Sequence, residues 1–450
     1  MSILSFPNGF QWGAATAAYQ IEGAYNEDDR GVSIWDTYAH QPGTIQHGAT
    51  GDVACDHYHR YQDDVDLMAS LGLQTYRFSV SWSRVLPFGT GAVNEKGIDF
   101  YSRLVDALLE KNIQPALTLY HWDLPQALQD RGGWANRDIA EQFAEYAALL
   151  YDRFGDRVSR WITLNEPHIF TMFGHRTGGM APGIRSYATT ARAVHHALLA
   201  HGMAVQAFRA SGAANGAKGE IGITNSNTSY EPFDSAPETL AATELARDHD
   251  ARLFHGPVFG KGYPASVLKF YAEKGAPFPI EAGDMEIIAS PTDFLGTNLY
   301  SRAVIQADSE HSIGFRQARP TLPLLPMGYE AAPHALGDFV RWVSNEYGHP
   351  KIYITENGVC DNTEPVDGVI DDHTRVELLR GFLAGLHGAI EDGCDVRGYY
   401  QWSLMDNFEW SFGYTKRFGM VYTDFETQQR IPKKSAAFYS EVIRNNAVDA

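Results

Sequence analysis

The sequence predicts an α/β protein built as a single (β/α)8 TIM barrel. Short, β-rich apolar segments alternate eight times with longer amphipathic segments, and neither a linker nor a change in composition divides the 450 residues. Such alternation implies parallel strands joined by right-handed crossovers, and eight units fit a closed barrel. An open doubly wound sheet would alternate in the same way, but no glycine-rich phosphate loop begins any of these helices.

The first four units are predicted from their hydrophobic periods. Small, aromatic and β-branched residues predict strands at 10–17, 75–82, 115–120 and from Trp161 to Asn165. Helix 56–71 carries Tyr61, Val65 and Met68 on one face and acidic residues on another. The other helices are predicted at 96–111, 136–154 and 189–210, with Asn136 as a candidate N-cap.

The second half of the chain repeats this pattern. Strands are predicted at 220–225, 293–300, 351–355 and 397–403, and helices at 237–254, 335–347, 374–392 and 433–444. The segment at about 302–334 is rich in proline and glycine and also contains aromatic residues, so it predicts an insertion above the barrel mouth. We therefore expect one catalytic domain over residues 1–450.

Composition limits the possible partners and the location of the protein. The formal charge of −19 argues against nucleic acid and anionic membranes, which both need a basic patch, and favours a neutral substrate. No stretch reaches the length of a membrane span, and residues 1–13 lack the pattern of a signal peptide. The three cysteines cannot all pair and lack metal-ligand spacing, so we expect a reduced, cytoplasmic protein (Cys55, Cys360 and Cys394).

Two predicted strands each end on a glutamate. In Trp161–Pro167 an apolar run stops at Asn165 and Glu166, and Lys351–Gly358 ends in the same way on Glu356. A carboxylate at the end of a buried strand is costly unless it is paired or used. Carboxyl ends of parallel strands meet at one edge of a barrel, so these two glutamates are predicted to form a paired-carboxylate site.

Further polar and aromatic residues stand at the same predicted edge. Hydrogen-bonding side chains are mixed there with flat aromatic faces, which is the combination that sugars require, since their hydroxyls need fixed partners and their C–H faces stack on indole. The set comprises Gln20, Arg77, His121, Trp122, Asn165, Asn298, Tyr300 and Trp402, followed by Glu409 and Trp410 in the loop after the eighth strand.

Six motifs in order give the chain a specific resemblance. They are FQWGAATAAYQIEG at 10–23, YRFSVSW at 76–82, YHWDLP at 120–125, TLNEP at 163–167, ITENG at 354–358 and NFEW at 407–410. On these motifs the chain resembles family 1 glycoside hydrolases, the β-glucosidase group, over essentially its whole length. Each motif is weak alone, but all six in order are very specific.

The resemblance implies a role for each matching residue. Glu166 would be the general acid/base and Glu356 the nucleophile, oriented and kept ionised by Arg77 and Tyr300. The remaining residues would bind the sugar that is cleaved off: hydroxyl contacts from Gln20, His121, Asn165 and Glu409, a platform from Trp402, a cradle completed by Trp410, and further contacts from Trp122, Asn298 and Tyr300. Read in isolation, Arg77 could equally be a structural counter-ion, and Glu409 could pair with Lys416 or Arg417.

The chain departs from the family pattern on the leaving-group side. His168 stands where the family often carries Trp, and Tyr329 stands where Met-Gly-Trp-Glu is common. With Phe173, these residues are predicted to shape the aglycone site. No metal site is expected, because His57 and His59 lack i, i+4 spacing and no further ligands join them or the histidines of the fourth helix (His195, His196 and His201).

The resemblance implies a retaining β-glucosidase that acts in two steps through a covalent glycosyl-enzyme and needs no cofactor. Its carboxyl groups would stand about 5–5.5 Å apart. Expected substrates are small β-glucosides and oligosaccharides, including products of cellulose degradation, together with β-fucosides and β-galactosides. Alternatives are a 6-phospho-β-glycosidase, which typically carries Ser and Lys/Tyr phosphate ligands in place of Glu409 and Trp410, a non-catalytic sugar-binding barrel, and a barrel enzyme of unrelated chemistry. The oligomeric state is left open.

Overall fold

The computed structural model describes residues 3–214 and 219–449, and within these ranges eight parallel strands close into a barrel. Each strand pairs with the next in chain order, and β8 pairs with β1, so the predicted fold is confirmed. The strands are β1 Gln11–Ala15, β2 Thr75–Ser79, β3 Gln114–Tyr120, β4 Arg160–Asn165, β5 Glu220–Pro232, β6 Phe294–Ala307, β7 Ile352–Asn357 and β8 Val396–Trp402.

Eight long helices surround the barrel, one after each strand in the described chain. They are α1 His57–Ser70, α2 Glu95–Glu110, α3 Ile139–Phe154, α4 Tyr187–Ala210, α5 Pro237–Arg247, α6 His334–Glu346, α7 His373–Glu391 and α8 Lys434–Asn445. The helix predicted at 237–254 is interrupted, because α5 passes into a π-helical turn, Asp248–Arg252, before Leu253–Val258 resumes an α-helix.

Asn136 is not the N-cap of α3, which corrects the prediction. Residues Gly133–Ala135 form a 3-10 turn, so the chain enters the α-helix only at Ile139. The Asn136 side chain instead accepts a hydrogen bond from the backbone N–H of Asp138 at 3.1 Å. Gln20 lies on the short helix Ala18–Ile21, which follows β1.

Strands β5 and β6 are longer than predicted and continue beyond the barrel as a two-stranded ribbon. Their pairing runs as far as Pro232 and Ile305, and Phe315–Gln317 adds an antiparallel strand to the outer end of β6. The predicted insertion at 302–334 therefore begins within a strand. This ribbon rises above the carboxyl ends of the other strands.

Shorter elements fill the loops and close the ends of the barrel. Ile3–Ser5 pairs with Ala447–Asp449, and Val421–Thr423 pairs with Arg430–Pro432, both antiparallel. The short helices are Ile34–Ala39, Trp82–Val85, Gln126–Gln129, Pro167–Thr171, Ala265–Glu273 and Asp284–Ile288, with a π-helix at Met172–Thr177 and 3-10 turns at Gln46–Gly48, Gly212–Ala214 and Trp410–Phe412.

The core lies inside the barrel and between the strands and helices. All six residues of β4 and of β7 are buried, as expected for parallel strands covered on both faces. Trp82 and Trp161 are fully buried in this core, as their surroundings in the sequence indicate. No helix in the described ranges is long and apolar enough to cross a membrane.

Candidate active site

Two buried glutamates lie in the wall of one cavity at the carboxyl ends of the strands. Glu166 directly follows β4, and Glu356 is the penultimate residue of β7. Their exposed fractions are 6% and 3%, and both line a cavity of about 340 Å³. The barrel thus brings together two carboxyl groups that lie 190 positions apart in the sequence.

The backbone at Glu166 explains how its side chain turns into the cavity. A proline follows it, and the residue before a proline is kept out of the right-handed helical region. Glu166 adopts the left-handed conformation, with φ 50° and ψ 64°, and Pro167 begins the next helix. Its Oε1 accepts a hydrogen bond of 2.9 Å from Asn298 Nδ2 at the end of the barrel part of β6.

Glu356 is held by a cation and by a hydroxyl group. Arg77 Nη1 donates to Oε1 at 2.7 Å, and the Tyr300 hydroxyl donates to Oε2 at 2.7 Å. Arg77 is fully buried, and its other hydrogen bonds reach Thr118 Oγ1, the backbone oxygen of Thr355 and Asn165 Oδ1. A guanidinium fixed on four acceptors cannot turn away, so Glu356 has a permanent counter-ion.

These environments separate the two carboxyl groups by protonation state. Burial raises the pKa of Glu166 to about 8, and the charge of Glu356 adds to that effect. Burial raises the pKa of Glu356 too and outweighs Arg77 and the Tyr300 hydroxyl, which both favour its charged form. Because only Glu356 bonds directly to a cation, it is the first of the two to ionise, and Glu166 is the group that holds its proton to higher pH.

His121 is a neutral donor that faces the cavity. Burial, followed by the charge of Arg77, holds its pKa well below the usual value. Asn165 Oδ1 accepts from Arg77 and Asn298, so its Nδ2 must donate to His121 Nε2 at 3.0 Å. The histidine proton therefore lies on Nδ1, which is buried and has no partner in the described part of the chain.

Gln20 and Glu409 provide two further buried polar atoms. Gln20 Nε2 donates to Asn407 Oδ1 and to the backbone oxygen of Phe408. Burial and the charge of Glu356 raise the pKa of Glu409 to about 8, while the neighbouring Gln20 lowers it. Within the ranges described, Gln20 Oε1 and Glu409 Oε2 have no hydrogen-bond partner, and such atoms are costly until a ligand pairs with them.

The two basic residues of the Glu409 loop are engaged elsewhere. Lys416 Nζ donates to the backbone oxygen of Pro326 at 2.5 Å, and Arg417 Nη1 donates to Asp406 Oδ2 at 2.9 Å. These contacts disfavour the interpretation in which Glu409 serves as the partner of a loop cation.

Aromatic rings complete the cavity wall. Trp402 and Trp410 are buried, and each lies nearly parallel to the His121 ring, with centroids 5.8 and 5.9 Å away. Trp122 packs against Trp410 at 4.5 Å and donates its Nε1–H to the backbone oxygen of Asn165. Flat indole faces thus lie beside the unpaired polar atoms.

The remaining residues chosen from the sequence fall into two positions. Arg77, Asn165 and Asn298 lie behind the wall and hold the residues that line it. The three predicted aglycone residues lie at the mouth, where Phe173 and Tyr329 are 41% and 40% exposed and His168 is partly exposed.

Sequence reasoning missed several apolar residues of the wall, namely Ile169, Met180, Met327, Phe412 and Phe418. Met327 begins the stretch Met-Gly-Tyr-Glu that contains Tyr329, so its proximity to a chosen residue was a usable signal. The others lie in loops or in helical segments of only one or two turns, which are too short for a hydrophobic period to mark them.

The histidines considered as metal ligands make ordinary hydrogen bonds. His57 Nδ1 lies 2.7 Å from Asp64 Oδ2, and His195 Nε2 lies 2.8 Å from Asp284 Oδ2. Among the described residues, Glu231, His334 and Asp338 form one other group of possible ligands, with donor atoms within 4.8 Å of one another. Arg302 already donates to Glu231 at 2.6 Å, so this group is an ion-pair network.

Comparisons with known proteins find relatives along the whole chain. The model of glycosyl hydrolase family 1 matches residues 3–448. Beta-glucosidase A of Acetivibrio thermocellus is 45% identical over 99% of this chain and 100% of its own length. The 1,4-beta-D-glucan glucohydrolase of Thermotoga neapolitana is 45% identical over 98% of this chain and 99% of its own. A family 1 structure from Thermotoga maritima, complexed with a cyclophellitol analogue transition state mimic, is 44% identical, covers 100% of both chains and has a TM-score of 0.96.

Proposed function

Because the chain belongs to glycosyl hydrolase family 1, we propose that it is a retaining β-glucosidase that removes terminal β-D-glucosyl residues from the non-reducing ends of small glucosides and oligosaccharides. The observation that carries this proposal is a pair of buried carboxyl groups in one cavity, of which only one bonds to a cation. Glu166 keeps the proton, while Glu356 bonds to Arg77 and Tyr300. An acid beside an ionised carboxylate is what double displacement at an acetal carbon requires.

In the first step Glu356 attacks the anomeric carbon, and a C–O bond to its carboxylate forms. The bond to the leaving oxygen breaks, and Glu166 gives its proton to that oxygen, so a neutral alcohol departs. Asn298, bonded to Glu166 Oε1, leaves the second oxygen of Glu166 to carry the proton. The positive charge that develops on the sugar is stabilised by the neighbouring carboxylates.

In the second step water cleaves the glycosyl ester. Esterification removes the charge of Glu356, which is one cause of the raised pKa of Glu166. The pKa of Glu166 therefore falls after Glu166 has given up its proton, so its side chain stays ionised. This carboxylate can then take a proton from the attacking water. The proposed cycle restores both glutamates, inverts the anomeric carbon twice and so retains its configuration.

The proposed sugar contacts follow from the unpaired polar atoms. His121 Nδ1–H would donate to one hydroxyl, and Gln20 Oε1 and Glu409 Oε2 would accept from others. Sugar hydroxyls that donate to Glu409 would favour its charged form, because hydrogen bonds to a carboxylate favour ionisation. Trp402 and Trp410 offer faces for the C–H side of the ring. A β-fucoside or β-galactoside would keep most of these contacts, so we propose both as weaker substrates.

Phosphorylated sugars fit this site poorly. A phosphate needs a cation, and the basic residues of the Glu409 loop, Lys416 and Arg417, already bond to Pro326 and Asp406. A non-catalytic sugar-binding barrel is also disfavoured, since both glutamates and the groups that set their protonation are present. Assaying the protein with a glucoside and its 6-phosphate separates these candidates.

The insertion and the cysteines bear on the domain organisation and the location of the protein. We propose that residues 302–334 belong to the same catalytic domain and supply one side of the mouth, where Met327 and Tyr329 line the cavity. We also propose a reduced, cytoplasmic location, which the three free and buried cysteines support.

The decisive experiment replaces the proposed nucleophile. Glu356→Gly should abolish hydrolysis of an activated aryl β-glucoside, because no carboxylate remains to attack. Added azide or formate should restore turnover by occupying the vacated position, and azide should yield the α-glucosyl azide, which NMR identifies.

The matched control is Glu220→Gly, at the opposite end of the barrel, where Glu220 pairs with Lys351. This variant should keep its hydrolytic activity, and added azide should not change its rate. If Glu356→Gly hydrolyses the substrate normally without an added anion, Glu356 is not the nucleophile.

A further inference from the structure

A second cavity opens beside the first. Its volume is about 410 Å³, and it shares Ile169, Phe173, Ser226, Tyr300 and Tyr329 with the cavity that holds the two glutamates. A group attached to the leaving oxygen next to Glu166 would pass between these shared residues. The second cavity is therefore the place where the larger part of a leaving group would lie.

A chain of three polar residues from separate elements ends in the wall of this second cavity. The Tyr230 hydroxyl, on the β5 extension, donates to Asp250 Oδ2 at 2.7 Å. Asp250 lies in the π-helical turn after α5, is only 5% exposed, and places Oδ1 3.0 Å from His168 Nδ1. The His168 side chain is 24% exposed and lines the cavity.

The arrangement of Tyr230, Asp250 and His168 determines which ring nitrogen of His168 is available to a ligand. A buried carboxylate beside Nδ1 holds the ring proton there, so the neutral imidazole presents Nε2 as an acceptor. In the chain as described, His168 Nε2 has no protein hydrogen-bond partner, and Asp250 Oδ1 makes no hydrogen bond, because its 3.0 Å contact with His168 Nδ1 is not well aligned. A ligand hydroxyl that donates to Nε2 would align the ring on Asp250.

The charges around the second cavity select for a neutral ligand. Arg302 lines the cavity, but it donates to Glu231 at 2.6 Å and to Glu330 at 3.1 Å, so its charge is already balanced. Asn227 and Gln317 add neutral polar groups to the wall. An anionic leaving group would find no free cation among these residues, whereas hydroxyl groups would find acceptors.

We propose that Tyr230 and Asp250 position His168 as a hydrogen-bond acceptor for a hydroxyl of the leaving group, which makes a glucose or oligosaccharide leaving group preferred over a flat aryl one. The inference rests on the proposed function and names the leaving-group class for that same site. Tyr230 and Asp250 act only through His168, so they are positioning residues.

The test measures kcat and KM of Asp250→Asn, Tyr230→Phe and His168→Phe on cellotriose and on an aryl β-glucoside. Losing the positioned acceptor should lower kcat/KM on cellotriose about tenfold, mainly through KM, as the loss of one hydrogen bond to a polarised group implies. The aryl glucoside has no hydroxyl to offer, so its kcat/KM should change less than about twofold.

Asp248→Asn is the matched control, because Asp248 lies in the same helical turn but bonds to Arg252 and Ser266. It should leave the ratio of the two substrates unchanged. Equal losses on both substrates, or no loss on cellotriose in all three variants, would overturn the inference. A wild-type protein inactive on every β-glucoside would instead refute the proposed function, so the two failures are distinguishable.

Discussion

The hydrogen-bond donors around each carboxyl group distinguish Glu166 from Glu356. Asn298 donates to the first, whereas Arg77 and Tyr300 donate to the second, although both carboxyl groups are buried in the same cavity. Burial alone would leave the two groups alike. The donors, and above all the cation, make them different, and the proposed roles follow from that difference.

Glu166→Ala should harm poor leaving groups far more than good ones, because only poor ones need a proton in the first step. We expect kcat/KM to fall by about 10²–10⁴-fold on cellobiose, the usual contribution of a general acid. On a dinitrophenyl glucoside kcat/KM should fall much less. Steady-state kinetics on both substrates measure the contrast, and equal losses would show that Glu166 is not the acid.

Tyr300→Phe should shift the acidic limb of the pH profile. The hydroxyl lowers the pKa of Glu356, so its removal raises that pKa, and kcat/KM needs Glu356 ionised. The acidic limb should therefore move to higher pH, by about 1–2 units if the lost bond is worth about 1.5–3 kcal/mol. The basic limb, set by the pKa of about 8 at Glu166, should move less.

Tyr329→Phe is the control for this profile, because Tyr329 lies at the mouth and donates to neither glutamate in the described structure. Its kcat/KM profile should superimpose on that of the wild type. An acidic limb that stays in place, or moves to lower pH, in Tyr300→Phe would contradict the assigned contact.

Residues at strand ends could be chosen from the sequence, because a polar side chain that stops an apolar run is visible there. Glu166 and Glu356 are of this kind. Strand-end position alone does not give the protonation order of the pair, since that order depends on Arg77 and Tyr300, which lie on two other strands. The apolar wall residue Phe418 left no signal, because a single aromatic residue in a loop has no period.

At the scale of elements, neighbouring strands support the site through their side chains. Thr224 on β5 bonds to Thr355 on β7, and Thr355 donates to Asn298 on β6, which donates to Glu166. Gly296 lies within this layer. A Cβ there would stand 2.2 Å from Thr224 Oγ1 and 3.0 Å from Thr355 Cγ2.

Gly296→Ala should therefore reduce both stability and turnover. Overpacking of this kind costs about 1–3 kcal/mol, and displacing Thr355 would misplace Asn298 and the carboxyl group of Glu166. Thermal inactivation and kcat at 25 °C measure the two effects. Gly212→Ala, where a Cβ would meet nothing within 4 Å, is the control and should change neither. Loss of stability with normal kcat would break the proposed link from Gly296 to Glu166.

Element types could be predicted from hydrophobic period, whereas several boundaries could not. The interruption of the helix predicted at 237–254 is a π-helical turn, Asp248–Arg252, and this turn contains neither the glycine nor the proline that would signal a break. The extension of β5 to Pro232 depends on pairing with β6, which is a long-range contact. Asn136 has the residue type of an N-cap, but the preceding 3-10 turn delays the helix.

At the scale of the molecule, one residue joins the two ends of the described chain. Asn446 ends α8 with φ 47°. Its Oδ1 accepts from Trp12 Nε1 at 2.9 Å, and its Nδ2 donates to the backbone oxygen of Phe6 at 2.8 Å. Ile3–Ser5 and Ala447–Asp449 then pair as strands. These contacts fasten β1 to the last helix.

Two substitutions at Asn446 should separate its side-chain bonds from its backbone conformation. Asn446→Gly tolerates the positive φ but leaves the buried Trp12 Nε1–H unpaired, which costs about 1–3 kcal/mol. Asn446→Ala adds the strain of a left-handed alanine, about 1–2 kcal/mol more. Thermal inactivation should rank wild type, Gly, Ala in falling order, with kcat/KM at 25 °C unchanged. A Gly variant as stable as the wild type would contradict this account.

The paired terminal strands lie at the face where β1 begins, and the cavity opens at the face where the strands finish. A linker fused to residue 3 or to residue 449 would therefore emerge on the side away from the mouth. Tethering the protein to a bead or a surface through either end would turn the cavity outward, so the immobilised enzyme should remain accessible to dissolved substrate.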